Sequence, residues 1–355
     1  MTDLNLHSLS EQLQTWAHDL GFAAMGISDI DLKEHPNYLQ RWLDKGYHGT
    51  MNFMAAHGEK RWRPDLLEPG TLRVISLRMD YLPENTHALD VLEEPNKGYI
   101  ARYTLGRDYH KLVRKRLATL AKRLQDTAGG HHRAFVDSAP VLERAIAEQA
   151  GLGWIGKNTM LINDKAGSWF FLGEIYTDLP LPVSAPKTEK HCGSCTACLD
   201  ICPTQAFVGP FELDARKCIS YLTIEHKGSI DTALRSKIGN RIFGCDDCQL
   251  FCPWNKFAKP SQEADFKPRH GLDNIDLVEL FLWDEHTYLD RTEGSAIRRI
   301  GYERWLRNIA VALGNAPSTI PVIETLKSRL SFPSELVQEH VIWALEQHGI
   351  TAVSS

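Results

Sequence analysis

The hydrophobic residues in the first half of the chain change between helical and strand-like spacing. A capping box at 8–11 precedes apolar residues at helical intervals, which predicts an amphipathic first helix through Leu9, Leu13, Trp16 and Leu20. Short apolar runs of strand length follow, separated by segments of helical length, at 22–27, 73–79, 134–136, 159–162 and 169–175. This alternation predicts an α/β or α+β domain.

The second half of the chain has a different pattern. A stretch punctuated by Pro180, Pro182 and Pro186 leads into a cysteine-rich segment that closes near Pro260. Beyond about residue 275 the strand-like runs fade, and helical spacing returns at Leu306, Ala310, Leu313, Val322, Leu326, Val341 and Leu345. We therefore expect an α+β protein with domains at 1–178, 179–262 and 263–355.

Composition narrows the class of protein. The chain has 355 residues, of which 43% are hydrophobic, so it can bury full cores. It contains no run approaching the roughly 18 apolar residues of a membrane helix, and its N-terminus lacks the features of a signal peptide. We expect a cytoplasmic protein without a membrane partner, because thiolates stay reduced there.

The net charge of −5 does not indicate a nucleic-acid-binding protein, so any such site must be a local basic patch. Two stretches qualify. One contains Arg291, Arg298, Arg299, Arg304 and Arg307. The other lies on a predicted helix whose Val113, Leu117, Leu120 and Leu124 face the core, and contains Lys111, Arg114, Lys115, Arg116, Lys122 and Arg123. Each is either a solvated face or a set of phosphate contacts.

The eight cysteines have the spacing of iron–sulfur ligands. A C-x2-C-x2-C-x3-C-P run is followed by a second run that lacks its first ligand, and Cys218 supplies the missing thiolate. In two-cluster ferredoxins the fourth cysteine of each run ligates the other cluster. The predicted ligands are Cys192, Cys195, Cys198 and Cys252 for one [4Fe-4S] cluster, and Cys202, Cys218, Cys245 and Cys248 for the second.

Zinc is the alternative metal. The pairs Cys195-x2-Cys198 and Cys245-x2-Cys248 could form a zinc ribbon. That interpretation leaves four cysteines without a role and both Cys-Pro pairs unexplained. Disulfides fit less well still, because the spacing is that of a metal site.

A glycine-rich motif at 151–156 matches G-x-G-x-x-G but stands in the wrong context. A dinucleotide-binding loop follows a strand and opens a helix. Here a predicted helix, 141–150, enters the motif and a predicted strand leaves it. We therefore interpret Gly151 as the residue that ends the helix.

Asp137 follows the apolar run 134–136, where a buried strand gives way to a helix. Strand ends are where α/β folds expose catalytic groups, and burial there raises the pKa of a carboxyl so that it can hold and donate a proton. The alternative is that Asp137 or Ser138 only caps the helix that begins near Pro140.

Several segments together resemble the epoxyqueuosine reductase family, which is related to the reductive dehalogenases. They occur in family order from about residue 10 to 350 and include VDSAPVLERAIAEQAGLGWIGKNTMLIN, GSWFFLGEIYTDLPL, HCGSCTACLDICPTQAF, CISYLTIEHKG and IGNRIFGCDDCQLFCPWNK. LRNIAVALGN and VQEHVIWALEQHG resemble the HEAT-like helical repeat of longer members.

The resemblance implies an activity and its cofactors. Members reduce epoxyqueuosine to queuosine at the wobble position of tRNA, the last step of queuosine biosynthesis. Electrons pass from a low-potential donor of flavodoxin or ferredoxin type through two [4Fe-4S] clusters to cob(II)alamin. The corrinoid is held base-off in a nitroreductase-like N-terminal domain, and the aspartate at the position of Asp137 donates the proton.

The resemblance also implies corrinoid contacts, although each candidate could instead be an ordinary surface charge or core residue. Besides Asp137, the candidates are Arg61, the backbone around Ala101, Arg144, Lys157, Asn158, Leu161, Ser168, Leu172 and Ser220. Enzymes that place a histidine on cobalt carry D-x-H-x-x-G. Asp108-Tyr109-His110 has Val113 in place of the glycine, so we interpret it as a surface dyad at a helix start, compatible with base-off binding.

Two other functions stay open at the level of sequence. One is a dehalogenase-like corrinoid reductase of a small molecule, although such enzymes usually carry an export signal. The other is a non-catalytic iron–sulfur electron-transfer protein, which leaves the long segment before the clusters without a purpose.

Overall fold

The computed structural model describes residues 5–84, 87–186, 189 and 191–351. Its α-helices are α1 Leu6–Asp19, α2 His35–Asp44, α3 Pro64–Leu67, α4 Ala88–Glu93, α5 Tyr109–Ala128, α6 Glu143–Gln149, α7 Ala197–Asp200, α8 Thr232–Ile238, α9 Asp247–Leu250, α10 Leu277–Leu282, α11 Glu285–Arg291, α12 Gly301–Gly314, α13 Ile320–Lys327 and α14 Glu335–Gln347. Its strands are β1 Ala24–Ser28, β2 Arg73–Asp80, β3 Tyr99–Ile100, β4 His132–Phe135, β5 Trp154–Ile155, β6 Leu161–Ile162, β7 Phe170–Thr177, β8 Phe207–Gly209, β9 Glu212–Leu213 and β10 Arg241–Phe243. In the described ranges, no helix combines the length and apolar character needed to cross a membrane.

Four strands form one sheet in the order β1-β2-β7-β4, and every neighbouring pair is antiparallel. The apolar runs at 22–27, 73–79, 134–136 and 169–175 all overlap these strands, so they are confirmed as strands. The run at 159–162 contributes β6, which pairs with β5 outside this sheet. Antiparallel pairing places the segment in the α+β class that the pattern allowed.

The two faces of the sheet carry different helices. Ile75, Leu77 and Met79 of β2 join the core formed with α1 and α5, whereas Val74 joins a smaller core with α6. This alternation is the period of two that a strand buried on both faces requires. The four predicted core positions of α5 are fully buried, as expected for Val113, Leu117, Leu120 and Leu124.

The first helix is confirmed, but the capping box predicted at 8–11 is wrong. The helix begins at Leu6, and the Asn5 side chain accepts hydrogen bonds from the N–H groups of His7 and Ser8 at 3.1 and 3.2 Å. Asn5 satisfies donors that a helix N-terminus otherwise leaves unpaired, so the helix extends toward the N-terminus of the predicted cap.

The three predicted domains share structure rather than meeting at simple boundaries. β3, from the first segment, pairs in parallel with β10 of the cysteine-rich segment. The largest core contains Ile100 and Leu105 together with Ile242 and Phe243, packed against the C-terminal helices α10 to α14. The boundaries at 178 and 262 therefore stay a prediction.

Helix α12 lies at the centre of this shared core and carries two buried polar residues. Arg307 is fully buried, and its guanidinium donates to the carbonyls of Leu222, His226 and Gly228 at 2.7 to 2.8 Å. The Asn308 amide donates to the carbonyls of Thr223 and Ile242 at 2.8 and 2.9 Å. Burial lowers the pKa of Arg307 to about 9. Arg307 therefore fastens the helix to the cysteine-rich segment and cannot contact phosphate, contrary to the expectation from the basic stretch.

Candidate active site

A cavity of about 280 Å³ separates the two cysteine runs, and four of the eight cysteines line it: Cys192, Cys195, Cys198 and Cys252. Burial, followed by the charges of the other three, raises the pKa of Cys198 to about 11. Four thiols around one cavity match the composition of the first predicted cluster site. In the described residues, no three Cys, His, Asp or Glu side chains converge closely enough to hold a single metal ion, as a zinc ribbon requires.

The remaining cysteines, Cys202, Cys218, Cys245 and Cys248, are half-buried. Burial raises the pKa of Cys218, Cys245 and Cys248, and neighbouring thiols raise these values further: Cys218, Cys198 and Cys202 act on Cys248, and Cys218 acts on Cys245. The Cys245 thiol also donates to Asp247 at 2.8 Å. Buried thiols with such raised pKa values stay neutral unless positive charge accompanies them.

Asp137 stands at the end of β4 and contacts the first turn of α5. Its Oδ2 accepts from the Tyr109 hydroxyl at 2.8 Å and lies 2.7 Å from His110 Nε2. His110 Nδ1 lies 2.7 Å from Asp108 Oδ1, and Asp108 caps α5 by accepting from the His110 N–H. The Asp137 side chain is 52% exposed, whereas His110 is 8% exposed. One carboxylate faces the solvent side, and its hydrogen-bond partners lie behind it.

The raised pKa expected for Asp137 is wrong. Burial does raise it, but hydrogen bonds from His110 and Tyr109 and the charge of Arg299 outweigh burial, so the pKa of Asp137 is lowered. For His110, burial acts to lower the pKa, and the two flanking carboxylates reverse this and raise it. Of the two groups, His110 is therefore the one that holds the proton more tightly.

The capping alternative for Asp137 is not what the structure contains. Helix α6 begins at Glu143, and its N-cap residue Leu142 makes no side-chain cap bond. Asp137 instead adopts a left-handed backbone with φ of 47°. Asp108-Tyr109-His110 does lie at a helix start, but it is buried and belongs to this site, so describing it as a surface dyad is wrong.

The glycine-rich motif ends a helix, as predicted. The Gly151 N–H donates to Glu148 O at 3.1 Å and the Leu152 N–H to Ala147 O at 2.9 Å, with Gly151 at φ +79°. These two bonds form a Schellman motif. A dinucleotide-binding loop would lead into a helix whose N-terminus binds the pyrophosphate. Residues 151–162, all of which the structure describes, contain no such helix.

Most polar candidates for corrinoid contact bind the cysteine-rich segment. Lys157 Nζ donates to the carbonyls of Gly193 and Cys195 at 2.7 and 2.9 Å, and the Asn158 amide donates to Cys248 O at 3.0 Å. The Ser168 hydroxyl lies 3.1 Å from the amide nitrogens of Gln249 and Asn255. Ser220 makes a long contact of 3.5 Å with Cys245 O. These residues join the sheet to the loops that carry the cysteines.

The other candidates are spread along the sheet side of the molecule. Arg61 is 7% exposed and donates to Phe53 O, while its Nε has no hydrogen-bond partner among the described residues. Arg144 donates to Thr159 O. The Ala101 N–H donates to Phe243 O at 2.8 Å, so this donor is already used. Leu161 is buried, and half-buried Leu172 packs in the same small cluster beside α6.

The C-terminal basic stretch divides into interior and surface residues. Arg304 donates to the carbonyls of Ile300, Ile224 and Arg299, so it is structural like Arg307. Arg299 reaches the site, 2.9 Å from Asp108 Oδ2 and 3.1 Å from His110 Nε2. Arg291 and Arg298 remain exposed.

Sequence reasoning missed several residues beside the site. Arg107 and Arg269 both approach Gly294, and the charges of Arg269 and Arg291, after burial, lower the pKa of His270. We call the five residues Arg107, Arg269, Arg291, Arg298 and Arg299 the basic patch. Arg291, Arg298 and Arg299 belong to the predicted C-terminal basic stretch, whereas Arg107 and Arg269 lie outside it and were not predicted. The roles of Tyr109, Glu143 and Glu174 were also not predicted. Each lies within a predicted helix or an apolar run, and the sequence around it has no motif that indicates a site.

Comparisons with known proteins agree with this arrangement. Residues 61–138 match a family model described as epoxyqueuosine reductase QueG, and residues 191–255 match one described as a 4Fe-4S double cluster binding domain. Epoxyqueuosine reductase of Pseudomonas aeruginosa is 66% identical over 97% of this chain and 95% of its own length. That of Escherichia coli is 54% identical over 97% of this chain and 90% of its own length.

Solved structures give the same answer. An epoxyqueuosine reductase crystallised with an epoxyqueuosine-modified tRNA-Tyr stem loop superposes with a TM-score of 0.90 at 29% identity, covering 98% of this chain and 92% of that one. The Bacillus subtilis enzyme, in a structure with its catalytic loop swung out of the active site, gives 0.88 at 29% identity, covering 97% and 91%. The chain belongs to the epoxyqueuosine reductase family.

Proposed function

We propose that this protein reduces epoxyqueuosine in tRNA to queuosine, with Asp137 and His110 together as the acid. Removal of the epoxide oxygen as water consumes two electrons and two protons and leaves a carbon–carbon double bond. The observation that carries the proposal is the hydrogen-bonded row Asp108, His110 and Asp137, which is open to solvent at Asp137. A cytoplasmic location fits a tRNA substrate.

The cysteines would carry electrons to the site. In the crossed arrangement, Cys192, Cys195, Cys198 and Cys252 hold the outer cluster, and Cys202, Cys218, Cys245 and Cys248 hold the inner one. The cavity lined by the first four, and the charge effects of Cys192, Cys195 and Cys252 on Cys198, support this assignment for the first cluster. Iron would supply the positive charge that keeps buried thiols ionised.

The residues present fit a base-off corrinoid. Arg61 keeps a buried, unpartnered Nε available to an amide of the corrin periphery. Both ring nitrogens of His110 are taken by carboxylates, so this histidine is not available to ligate cobalt. Cobalamin, taken up as cob(II)alamin, supplies a cobalt centre of low potential that passes electrons to a carbon–oxygen bond. Arg61, Arg144, Leu161 and Leu172 would hold it, with Asp137 nearby.

Asp137 would pass a proton that His110 stores. The imidazolium is stabilised by Asp108 and Asp137, and the 2.7 Å bond to Asp137 gives the proton a direct path to the exposed carboxylate. Because the pKa of His110 is raised, the stored proton is kept to higher pH than on a free imidazole and is lost as pH rises through that raised value. The rate should therefore fall on the alkaline side.

Asp137→Asn should lower the rate of queuosine formation by about 10² to 10⁴, because the amide still accepts from Tyr109 but cannot relay a proton. His110→Gln should lower the rate and move the alkaline limb of the pH profile to lower pH. The measurement is turnover of epoxyqueuosine-containing tRNA, with iron content and cobalamin binding as controls. Wild-type turnover by Asp137→Asn would refute the role of Asp137.

The crossed ligation can be tested with two double variants. Reconstituted protein should hold about eight iron per chain. Cys202→Ser with Cys218→Ser removes two ligands of one cluster and should leave about four iron. Cys218→Ser with Cys252→Ser removes one ligand of each and should leave few. Uncrossed ligation predicts the opposite result: few iron in the Cys202→Ser, Cys218→Ser protein and about four in the Cys218→Ser, Cys252→Ser protein. Anaerobic iron analysis of the two proteins therefore distinguishes the two arrangements.

The basic patch would bind the tRNA backbone. It borders Asp137 through Arg299, and phosphate contacts position a nucleic acid without reading its sequence. On a chain of net charge −5, such a local cluster of arginines is the expected electrostatic footprint. Arg304 and Arg307 are excluded from this role by their interior hydrogen bonds.

Arg291→Glu with Arg298→Glu should weaken tRNA binding at low salt and reduce the salt slope by roughly one to two, because phosphate contacts release counterions. The matched control is Lys237→Glu with Lys327→Glu, which makes the same charge change at exposed positions on α8 and α13. Equal affinities of the two double variants at every salt concentration would show that the patch is only a solvated surface.

A low-potential carrier of flavodoxin or ferredoxin type would supply the electrons at the outer cluster. The residues lining that cavity include Lys157, Lys256, exposed Phe257 and the half-buried Trp254, and no carboxylate is among the described lining residues. A cationic, partly aromatic opening on an acidic protein complements a carrier with an acidic face.

Lys256→Glu with Lys259→Glu should slow reduction by such a carrier by about tenfold or more at low salt, since rim charges act on association rates. Reduction by dithionite, and turnover driven by it, should stay at the wild-type rate. The Lys237→Glu, Lys327→Glu protein again serves as control. An unchanged carrier rate at low salt would place docking elsewhere.

A further inference from the structure

The backbone at Asp137 is held in an unusual conformation by a side chain from the next helix. Asp137 has φ of 47°, in the left-handed region that favours glycine. Its N–H donates to Glu143 Oε1 at 2.6 Å. The hydrogen bonds within the loop's own backbone, Ser138 to Val136 and Val141 to Ala139, span only two residues. Glu143, the first residue of α6, is thus the anchor of the Asp137 amide.

Behind Glu143 lies a second acid with no exposure to solvent. Glu174 is 0% exposed on β7, where it pairs with Ser76 of β2 and with Phe135 of β4, two residues before Asp137. Neither carboxyl oxygen of Glu174 has a well-formed hydrogen bond among the described residues. The adjoining carboxyl of Glu143 is the group with which this buried acid can share a proton.

Electrostatics agree with a pair that holds one proton. Burial and then the charge of Asp137 raise the pKa of Glu143 to about 7. Burial and then the charge of Glu143 raise the pKa of Glu174 well above its usual range. Glu174 therefore stays neutral, and Glu143 becomes the ionised partner as pH rises through neutrality. Asp137, Arg144 and Glu174 are the charged and acidic groups that face Glu143, with Tyr109 and Tyr176 nearby.

We propose that Glu143 is a positioning residue for Asp137, and that buried Glu174 fixes Glu143 in the orientation that receives the Asp137 amide. The catalytic part rests on the proposed role of Asp137, whereas the anchoring does not. Glu143 touches no reacting atom; it acts by placing the carboxylate that does. A carboxylate misplaced by about 1 Å can cost about a hundredfold in rate.

Two substitutions at one position separate anchoring from charge. Glu143→Ala removes the acceptor and should lower kcat by about ten- to a hundredfold, with the KM for tRNA, iron content and cobalamin binding unchanged. Glu143→Gln keeps an oxygen that accepts from the amide and should retain most of kcat. If Gln lost as much activity as Ala, or Ala lost none, the positioning role would be excluded.

Backbone hydrogen exchange of the segment 136–141 tests the anchor without turnover. Exchange should accelerate in Glu143→Ala and stay near the wild-type rate in Glu143→Gln. Asp137→Asn retains the backbone N–H and should exchange like wild type, so this result stands even if Asp137 proves not to be the acid. Unchanged exchange in a folded Glu143→Ala protein would overturn the proposal. Glu174→Leu, which leaves Glu143 unsupported, should give a smaller acceleration in the same segment.

The pH profile provides a readout that a purely structural role would not move. Because an ionised Glu143 accepts the amide somewhat more strongly than a neutral acceptor does, wild-type kcat should rise slightly, by about twofold or less, as pH rises through about 7. Glu143→Gln should lose this acid limb and keep the alkaline one. An acid limb that persists in Glu143→Gln would assign it to another group.

Discussion

The hydrogen bonds between the β5-β6 hairpin region and the cysteine loops are the constraint on which the site depends. The Asn158 amide and the Lys157 ammonium bind carbonyls of the very loops that carry Cys248 and Cys195. Electrons would arrive on the cysteine loops, whereas the proposed proton donors lie at the end of β4 and on α5. Side chains that bridge them fix the distance between the two supplies, so candidates first considered as cofactor contacts also hold the enzyme together.

The second organising feature is the alternation of charge beside Asp137. Asp108, His110, Asp137 and Arg299 form a chain in which each ion has an opposite neighbour. Such mutual stabilisation explains why the pKa of Asp108 lies at about 2 while that of His110 is raised, although burial alone would move both in the other direction. An acid that must work near neutral pH is thereby built from a carboxylate with a low pKa and a histidine behind it.

Much of the fold could be predicted from the sequence, and the limits have physical causes. The strands at 73–79 and 169–175 were predictable because each is a long apolar run, whereas the crossed cysteine sets remain a prediction from ligand spacing. Arg307 was misjudged because charge alone does not reveal that a guanidinium has three carbonyls to bind inside the protein. Arg107 and Arg269 of the basic patch and the Glu143–Glu174 pair were out of reach, because tertiary contacts bring together residues distant in sequence. Asp137 was proposed as a site residue because it follows a predicted strand. The direction of its pKa shift was predicted wrongly, because the sequence does not show that the His110 side chain contacts Asp137.

The shared core has a consequence for how the protein resists damage. Ile100 and Ile242 are packed into one core with the C-terminal helices, and β3 is paired with β10. Small domains with a common core unfold cooperatively rather than piece by piece. Oxidative loss of an iron–sulfur cluster would loosen the β10 region and, through that core, the helices far beyond it. The cysteine-rich segment and the C-terminal helices would then open together, which would expose a long stretch of chain to proteases.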